Sequence, residues 1–320
     1  MERIAVLTSG GDAPGMNACI RAVVRTALNY KMDIYGIERG YAGLIKGEIT
    51  RLGSRSVSDM IHKGGTFLKT ARCNEFKDIE VQKQAAEALS AFGIDALVVI
   101  GGDGTLRGAK DLSENCGVKV MGIPATIDND LAYTDFTVGF DTAVNTVLGA
   151  INNLRDTMHS HDRVSLLEVM GRHCGDIALY AGMAGGAEYI LVPEIPYDLD
   201  EIANKIKKSY LRGKTSNMII LAEGAGNRDE IAKIVAEKSG ISVKVNNFGY
   251  IQRGGSPNMA DRVLAARFGY KAVELIKQGS ESCAIGIKNN EVITVPFSEV
   301  SKAEKKFNTR LYNIAHVLSL

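Results

Sequence analysis

The chain has almost no charge of either sign to spare: 38 Lys and Arg stand against 37 Asp and Glu over 320 residues, a formal balance of +1. No global field draws in nucleic acid or an anionic membrane, so any anion must be met by locally placed Arg and Lys. Cysteine is sparse. Cys19, Cys73, Cys116, Cys174 and Cys283 are scattered, odd in number and free of C-x-x-C spacing. That pattern argues against a disulfide framework or structural zinc and for a reducing compartment. His159 and His161 have no third ligand at sensible spacing, which again argues against zinc. No apolar stretch approaches the ~20 residues a bilayer span needs. The run Ile4–Leu7 behind Met1-Glu2-Arg3 is too short for a signal-peptide core and reads as a strand. Low-complexity segments, long linkers and fixed-period repeats are missing. A cytoplasmic protein that binds neither nucleic acid nor membrane is expected.

What is present is an alternation of short apolar runs and helical stripes. With 45% apolar residues and this length, two domains are the natural expectation. Strands are predicted at Ile4–Leu7, Ile34–Ile37, Ala96–Ile100, Val118–Ile123, Val164–Val169, Tyr189–Val192, Met218–Ala222 and Ala284–Ile287. Val144, Val147, Leu148, Ile151, Leu154 and Met158 form one helical stripe. Leu199, Ile202, Ala203, Ile206 and Tyr210 form another. Continuous apolar strands alternating with helices predict an α/β fold with parallel sheets covered on both faces. Such sheets bind ligands at the carboxyl ends of their strands. A turn at Asn289-Asn290 is expected to join two antiparallel strands, and a domain join is placed near Thr137–Phe140.

Three loops carry the chemistry. The first strand runs into Thr8-Ser9-Gly10-Gly11-Asp12-Ala13-Pro14-Gly15, ahead of a helix. These glycines suit phosphate at a helix N-terminus, although a tight turn alone accounts for them equally well. Behind Ala96–Ile100 comes Gly101-Gly102-Asp103-Gly104-Thr105, again opening a helix. Here backbone N–H groups reach phosphate oxygens and Asp103 supplies a hard oxygen for Mg²⁺, an N-cap role for Asp103 being the bland alternative. The third loop, Pro124-Ala125-Thr126-Ile127-Asp128-Asn129-Asp130, puts two carboxylates at i and i+2. They read as a general base and its partner, or as an Asx-turn pair. One strand after a nucleotide loop, the chemical reading is preferred.

Four arginines lie beside glycines or at strand ends, where guanidiniums meet phosphate oxygens: Arg72, Arg163, Arg172 and Arg253. Any one alone could be a solvated surface residue. Arg21 and Arg25, one helical turn apart, repel by a few tenths of a kcal/mol, which a bound anion would offset, a simple solvated face being the alternative.

The chain has no G-x-x-x-x-G-K-[ST] loop and no protein-kinase H-R-D or D-F-G set. The runs Leu7–Asp12, Gly101–Thr105, Thr126–Asp130, Glu168–Arg172 and Gln252–Pro257, in that order and spacing, resemble the ATP-dependent 6-phosphofructokinases of bacteria. The resemblance runs from about residue 1 to 300. It implies two Rossmann-like domains with mainly parallel sheets and an active site in the cleft between them. Residues 1–139 plus about 252–306 would bind nucleotide, and 140–251 plus about 307–320 the sugar phosphate. Gly11, Arg72, Cys73, Gly102, Asp103, Gly104 and Thr105 would hold ATP, with Asp103 on Mg²⁺. Asp128 would take the proton from the 1-hydroxyl of fructose 6-phosphate, while Thr126, Arg72 and Arg172 stabilise the transferring phosphoryl. Ile127, Asp130, Met170, Gly171, Glu223, Ile251 and Gln252 would contact the sugar. Arg163, Lys244, Tyr250 and Arg253 occupy the positions that clamp its 6-phosphate, partly across subunits of a homotetramer. An effector site for ADP or phosphoenolpyruvate would combine Arg21, Arg25, Ser54 and Arg55 with Arg155, Gly186, Ala187, Glu188, Arg212, Lys214, Thr215 and Ser216.

The chain departs from that pattern in places. Lys244 stands for an arginine and Tyr250 for a histidine, so a weaker 6-phosphate clamp and a raised KM are expected. Ala125 replaces glycine, yet with Gly104 it keeps room for the inner phosphates, where pyrophosphate-dependent relatives carry lysine and an acid. Ser54 and Ser216 replace basic residues and Arg55 an aromatic, which puts allosteric control in doubt. Rival readings are a kinase for tagatose 6-phosphate or sedoheptulose 7-phosphate, a kinase of the NAD or lipid-diol kind, and a catalytically weak regulatory paralogue.

Overall fold

The computed structural model describes residues 2–319. Eleven strands run through them: β1 Arg3–Ser9, β2 Asp33–Ile37, β3 Ile49–Leu52, β4 Ala96–Gly101, β5 Lys119–Pro124, β6 Val164–Val169, β7 Tyr189–Leu191, β8 Asn217–Ala222, β9 Val243–Asn247, β10 Cys283–Lys288 and β11 Glu291–Pro296. All eight predicted apolar runs are strands. The three strands without such a run, β3, β9 and β11, are sheet edges that bury only Leu52 between them. The turn into β11 forms as expected: Asn289 and Asn290 sit at φ 50° and 64°, and Lys288 faces Glu291. Two successive left-handed residues are what a two-residue type I′ hairpin requires.

The chain divides into two compact units. The first holds the residues up to Ile127, then Leu131–Thr142 and Arg253–Lys305. Its sheet has the order β11-β10-β5-β4-β1-β2-β3, parallel except for the two antiparallel edges β3 and β11. β1, β4 and β5 lie side by side in parallel, with Ser9 opposite Gly101 and Gly101 opposite Pro124. The three loops singled out in the sequence therefore leave one edge of this sheet together. Leu7, Leu97, Val99, Leu106 and Val120 form the core beneath them.

The second unit holds Asp128–Asp130, Ala143–Gln252 and the residues from Lys306 onward. Its four strands, in the order β7-β8-β6-β9, are all parallel. Val169 lies opposite Ala222 and Glu168 opposite Asn247, so the loops after β6, β8 and β9 emerge side by side. The predicted stripes are the packed faces of two helices, Phe140–His161 and Leu199–Leu211. Val147, Ile151, Met158, Ile202, Ala203 and Ile206 are buried, but Tyr210 is exposed and the second stripe ends a turn early. Among the described residues, no helix is long and apolar enough to cross a membrane. Nor does any group of three or more His, Cys, Asp and Glu there suit a metal ion.

Candidate active site

The first two loops pack backbone against backbone. A Cβ at Gly101 would lie 2.4 Å from the Ser9 carbonyl oxygen, so only glycine fits. Thr105 ties the loops together by donating its hydroxyl to that same carbonyl at 3.0 Å. Its N–H donates to the Gly102 carbonyl, and its own carbonyl accepts from the Tyr41 hydroxyl at 2.7 Å. Both donors of Thr105 thus serve the protein. The N–H groups left at the open end of the Asp103–Cys116 helix are those of Asp103 and Gly104, which have no intrahelical acceptor. A Cβ at Gly104 would meet nothing within 4 Å, so that end faces open space. Positive helix-end potential, outward N–H groups and missing side chains suit an anion such as a phosphate.

Asp103 is the first residue of this helix; Gly102 is the N-cap, which removes the bland reading of Asp103. Its carboxylate pairs with Arg107 at 2.7 Å. An exposed i,i+4 pair is worth only about 0.3–0.5 kcal/mol, too little to hold the carboxylate against a chelate of metal and phosphates. A half-exposed carboxylate beside an open glycine space fits Mg²⁺, which takes one or two carboxylates and draws its other ligands from phosphates and water. Arg72 is exposed and Cys73 half-buried in the loop leading to the Asn74–Lys77 turn. Burial raises the Cys73 thiol pKa, keeping it neutral. Across the first loop lies Arg253: a Cβ at Gly11 would sit 2.1 Å from its Nη1.

The third loop leads from Thr126, whose side chain is the nearest neighbour of Gly102, to Asp128. The Thr126 carbonyl accepts the Thr137 hydroxyl at 2.6 Å, and Ile127 is buried. Asp128 is 2% exposed, and its Oδ2 lies 3.3 Å from Arg172 Nε. Two left-handed non-glycine residues flank this pair, Asn129 at φ 51° and Arg172 at φ 54°. Each such residue costs on the order of 1 kcal/mol and needs its surroundings to hold it. The holders are visible. Asn129 donates to Asp176 at 2.9 Å, the Arg172 N–H donates to Glu223 at 2.8 Å, and a Cβ on Gly224 would lie 2.0 Å from the Arg172 carbonyl.

Beside Arg172, a cavity of about 200 Å³ is lined by Glu168, Met170, Glu223, Asn247, Tyr250 and Gln252. Gln252 is fully buried, with its carbonyl accepting the Met170 N–H at 3.0 Å and its amide donating to Gly249 at 3.1 Å. It forms the wall of the cavity. Its polar ends hold the β6 loop to the turn after β9. Gly171 takes φ 135° and Asp130 is half-buried, whereas Arg163 and Lys244 are exposed. Tyr250 and Ile251 are the most exposed of this set, at 82% and 68%.

Of the expected effector residues in the second unit, several already have partners. Arg155 donates to the Gly185 carbonyl at 2.8 Å and to that of Gly186, and Lys214 pairs with Glu188 at 3.1 Å. Thr215 donates to Asp162, Ala187 is buried, and Arg212 is exposed. Ser216 shares a cavity of about 510 Å³ with Arg155 and His159. In the first unit Arg21 is half-buried, while Arg25, Ser54 and Arg55 are exposed.

The phosphofructokinase family profile matches residues 3–276. The ATP-dependent 6-phosphofructokinase of Clostridium botulinum strain Loch Maree is 56% identical over 319 residues, covering 100% of both chains. The chain belongs to the phosphofructokinase family. The phosphofructokinase of Saccharomyces cerevisiae superposes with a TM-score of 0.89 at 35% identity over 100% of this chain, which spans only 48% of the yeast chain. A pyrophosphate-dependent phosphofructokinase from Marinobacter aquaeolei has a TM-score of 0.85 at 24% identity and shares the fold. Tyr41, Arg107, Asn247 and Arg228 lie outside the runs that carry the resemblance, and Glu168 opens one of those runs without a role assigned to it; all five touch the sites described. Glu168 alone gave a signal in the sequence, as the one charged residue in the run of β6.

Proposed function

We propose that the chain is an ATP-dependent 6-phosphofructokinase, forming fructose 1,6-bisphosphate in glycolysis. The observation that carries this reading is the buried Asp128 carboxylate beside Arg172, two residues beyond Thr126 in the loop that adjoins the glycine-lined helix end. The first unit takes the nucleotide and the second the sugar phosphate. Asp128 accepts the proton of the sugar 1-hydroxyl as its oxygen bonds to the γ-phosphorus and the bond to the β-phosphate oxygen of ADP breaks. Arg172, with Arg72 and Thr126, meets the negative charge spread over the transferring phosphoryl. Asp103 is the residue that would hold Mg²⁺, which when bound neutralises charge on the donor phosphates. Open space at Gly104 favours a nucleotide donor over bare pyrophosphate.

The enzyme is taken to be a cytoplasmic homotetramer, with Arg163, Lys244, Tyr250 and Arg253 meeting the 6-phosphate partly across subunits. ADP or phosphoenolpyruvate would act at the Arg21 and Arg25 surface. Since Arg155 and Lys214 are already engaged, weak control is expected there. A coupled assay of ADP release tests the activity with fructose 6-phosphate, tagatose 6-phosphate and sedoheptulose 7-phosphate in parallel. Asp128→Asn should lower kcat by about 10³-fold with little change in the KM for ATP. Near-normal turnover by that variant would remove the base from the mechanism. No turnover with fructose 6-phosphate in the wild type would overturn the assignment.

A further inference from the structure

Glu168 is out of place by strand logic. β6 reads Val-Ser-Leu-Leu-Glu-Val, and Glu168 is its one position that is not fully buried. Its side chain is 17% exposed and lines the acceptor cavity. A carboxylate so far out of water needs strong partners, and it has two on one oxygen. Oε2 accepts from Arg228 Nη1 at 2.6 Å and from Asn247 Nδ2 at 3.0 Å. Arg228 opens the helix after β8, and Asn247 ends β9 directly opposite Glu168. Elements on both sides of β6 thus fix this carboxylate by one oxygen and leave the other for a ligand.

The charge of the cavity says what that ligand group is. Two carboxylates line it, Glu168 and Glu223, and neither can donate a hydrogen bond when ionised. Those two carboxylates accept hydroxyls and leave a phosphate to the Tyr250 side of the cavity. Glu223 also holds the Arg172 N–H, so the cavity adjoins the Asp128–Arg172 pair. An acceptor with one hydroxyl at Asp128 would present its other hydroxyls here. We propose that Glu168 accepts a hydrogen bond from a sugar hydroxyl other than the one phosphorylated, and that Arg228 and Asn247 are positioning residues that aim it. This rests on the sugar-phosphate kinase reading and adds a specificity determinant to it.

The test measures fructose 6-phosphate binding by calorimetry and steady-state kinetics on the full chain. Glu168→Gln should raise both Kd and KM about tenfold or more, since a bond to a charged acceptor is lost, while kcat and the KM for ATP change little. Arg228→Met should shift Kd in the same direction, and Arg228→Lys should recover part of the loss. Discrimination against ketose 6-phosphates epimeric or deoxygenated at a ring hydroxyl should shrink in Glu168→Gln for one position only. Unchanged Kd and discrimination in folded Glu168→Gln and Arg228→Met overturn the proposal. If the wild type binds fructose 6-phosphate but does not turn it over, the kinase reading fails and the Kd series still decides the role of Glu168. If the wild type does not bind the sugar phosphate at all, both fall.

Discussion

At the residue scale, the sites depend on a few side chains whose neighbours leave them no alternative. Arg253 shows this most directly, because its guanidinium occupies the space that any side chain at position 11 would need. The end of an arginine can move aside, so Gly11→Ala should still fold, with a Tm within about 3 °C of wild type. The displaced guanidinium then no longer lies along the first loop. Gly11 and Arg253 are the proposed contacts to ATP and to the 6-phosphate, so KM for both ATP and fructose 6-phosphate should rise about tenfold. A rise for ATP alone would show that Arg253 finds an equivalent place, and steady-state kinetics with each substrate varied in turn separates the two results. Thr105 and Gln252 illustrate the limit of reading residues from motifs. Both belong to runs read as ligand-binding in the sequence, yet both donors of Thr105 go to Ser9 and Gly102, and the Gln252 amide bonds Met170 and Gly249. With these bonds they hold neighbouring loops in place.

At the element scale, the parallel order of β1, β4 and β5 brings the three loops together, and a local clamp fixes its start. Asp95, just before β4, accepts the N–H groups of Glu2 and Arg3 at 2.7 and 3.1 Å, next to β1. The Arg3 N–H above all holds the Asp95 carboxyl below its usual range, with Glu2 adding and slight burial opposing. A depressed folded pKa gives stability that is present above the unfolded value of about 3.9 and is lost as pH falls through the folded one. Denaturant unfolding followed from about pH 5 down to pH 2 should therefore show a shallower acid loss in Asp95→Asn than in wild type. An identical slope would mean that the clamp carries no linked proton. The strands were legible because buried parallel strands are continuous apolar runs, as in Ala96–Ile100. β3 and β9 escaped because an edge strand need bury little. The candidate loops were legible from glycines and carboxylates that a core cannot use. Arg228 and Asn247 were not, since nothing in a surface arginine or a strand-end asparagine tells that both converge on Glu168.

At the scale of the whole molecule, binding the sugar phosphate should be the weaker half of the reaction. If Lys244 and Tyr250 meet the 6-phosphate as proposed, they offer one point charge and one hydroxyl, a weaker clamp than a forked guanidinium and an imidazole would give. Restoring Lys244→Arg and Tyr250→His together should lower the KM for fructose 6-phosphate about three- to tenfold. An unchanged or higher KM in initial-rate measurements would reject that explanation. The twisted backbone at Asn129 and Arg172 has a consequence beyond the reaction itself. Glycine would relax either position, but at 129 it would remove the amide that reaches Asp176, and at 172 the guanidinium beside Asp128. Selection for heat resistance would therefore find its simplest backbone improvements closed at these two places, and would have to gain firmness far from the chemistry.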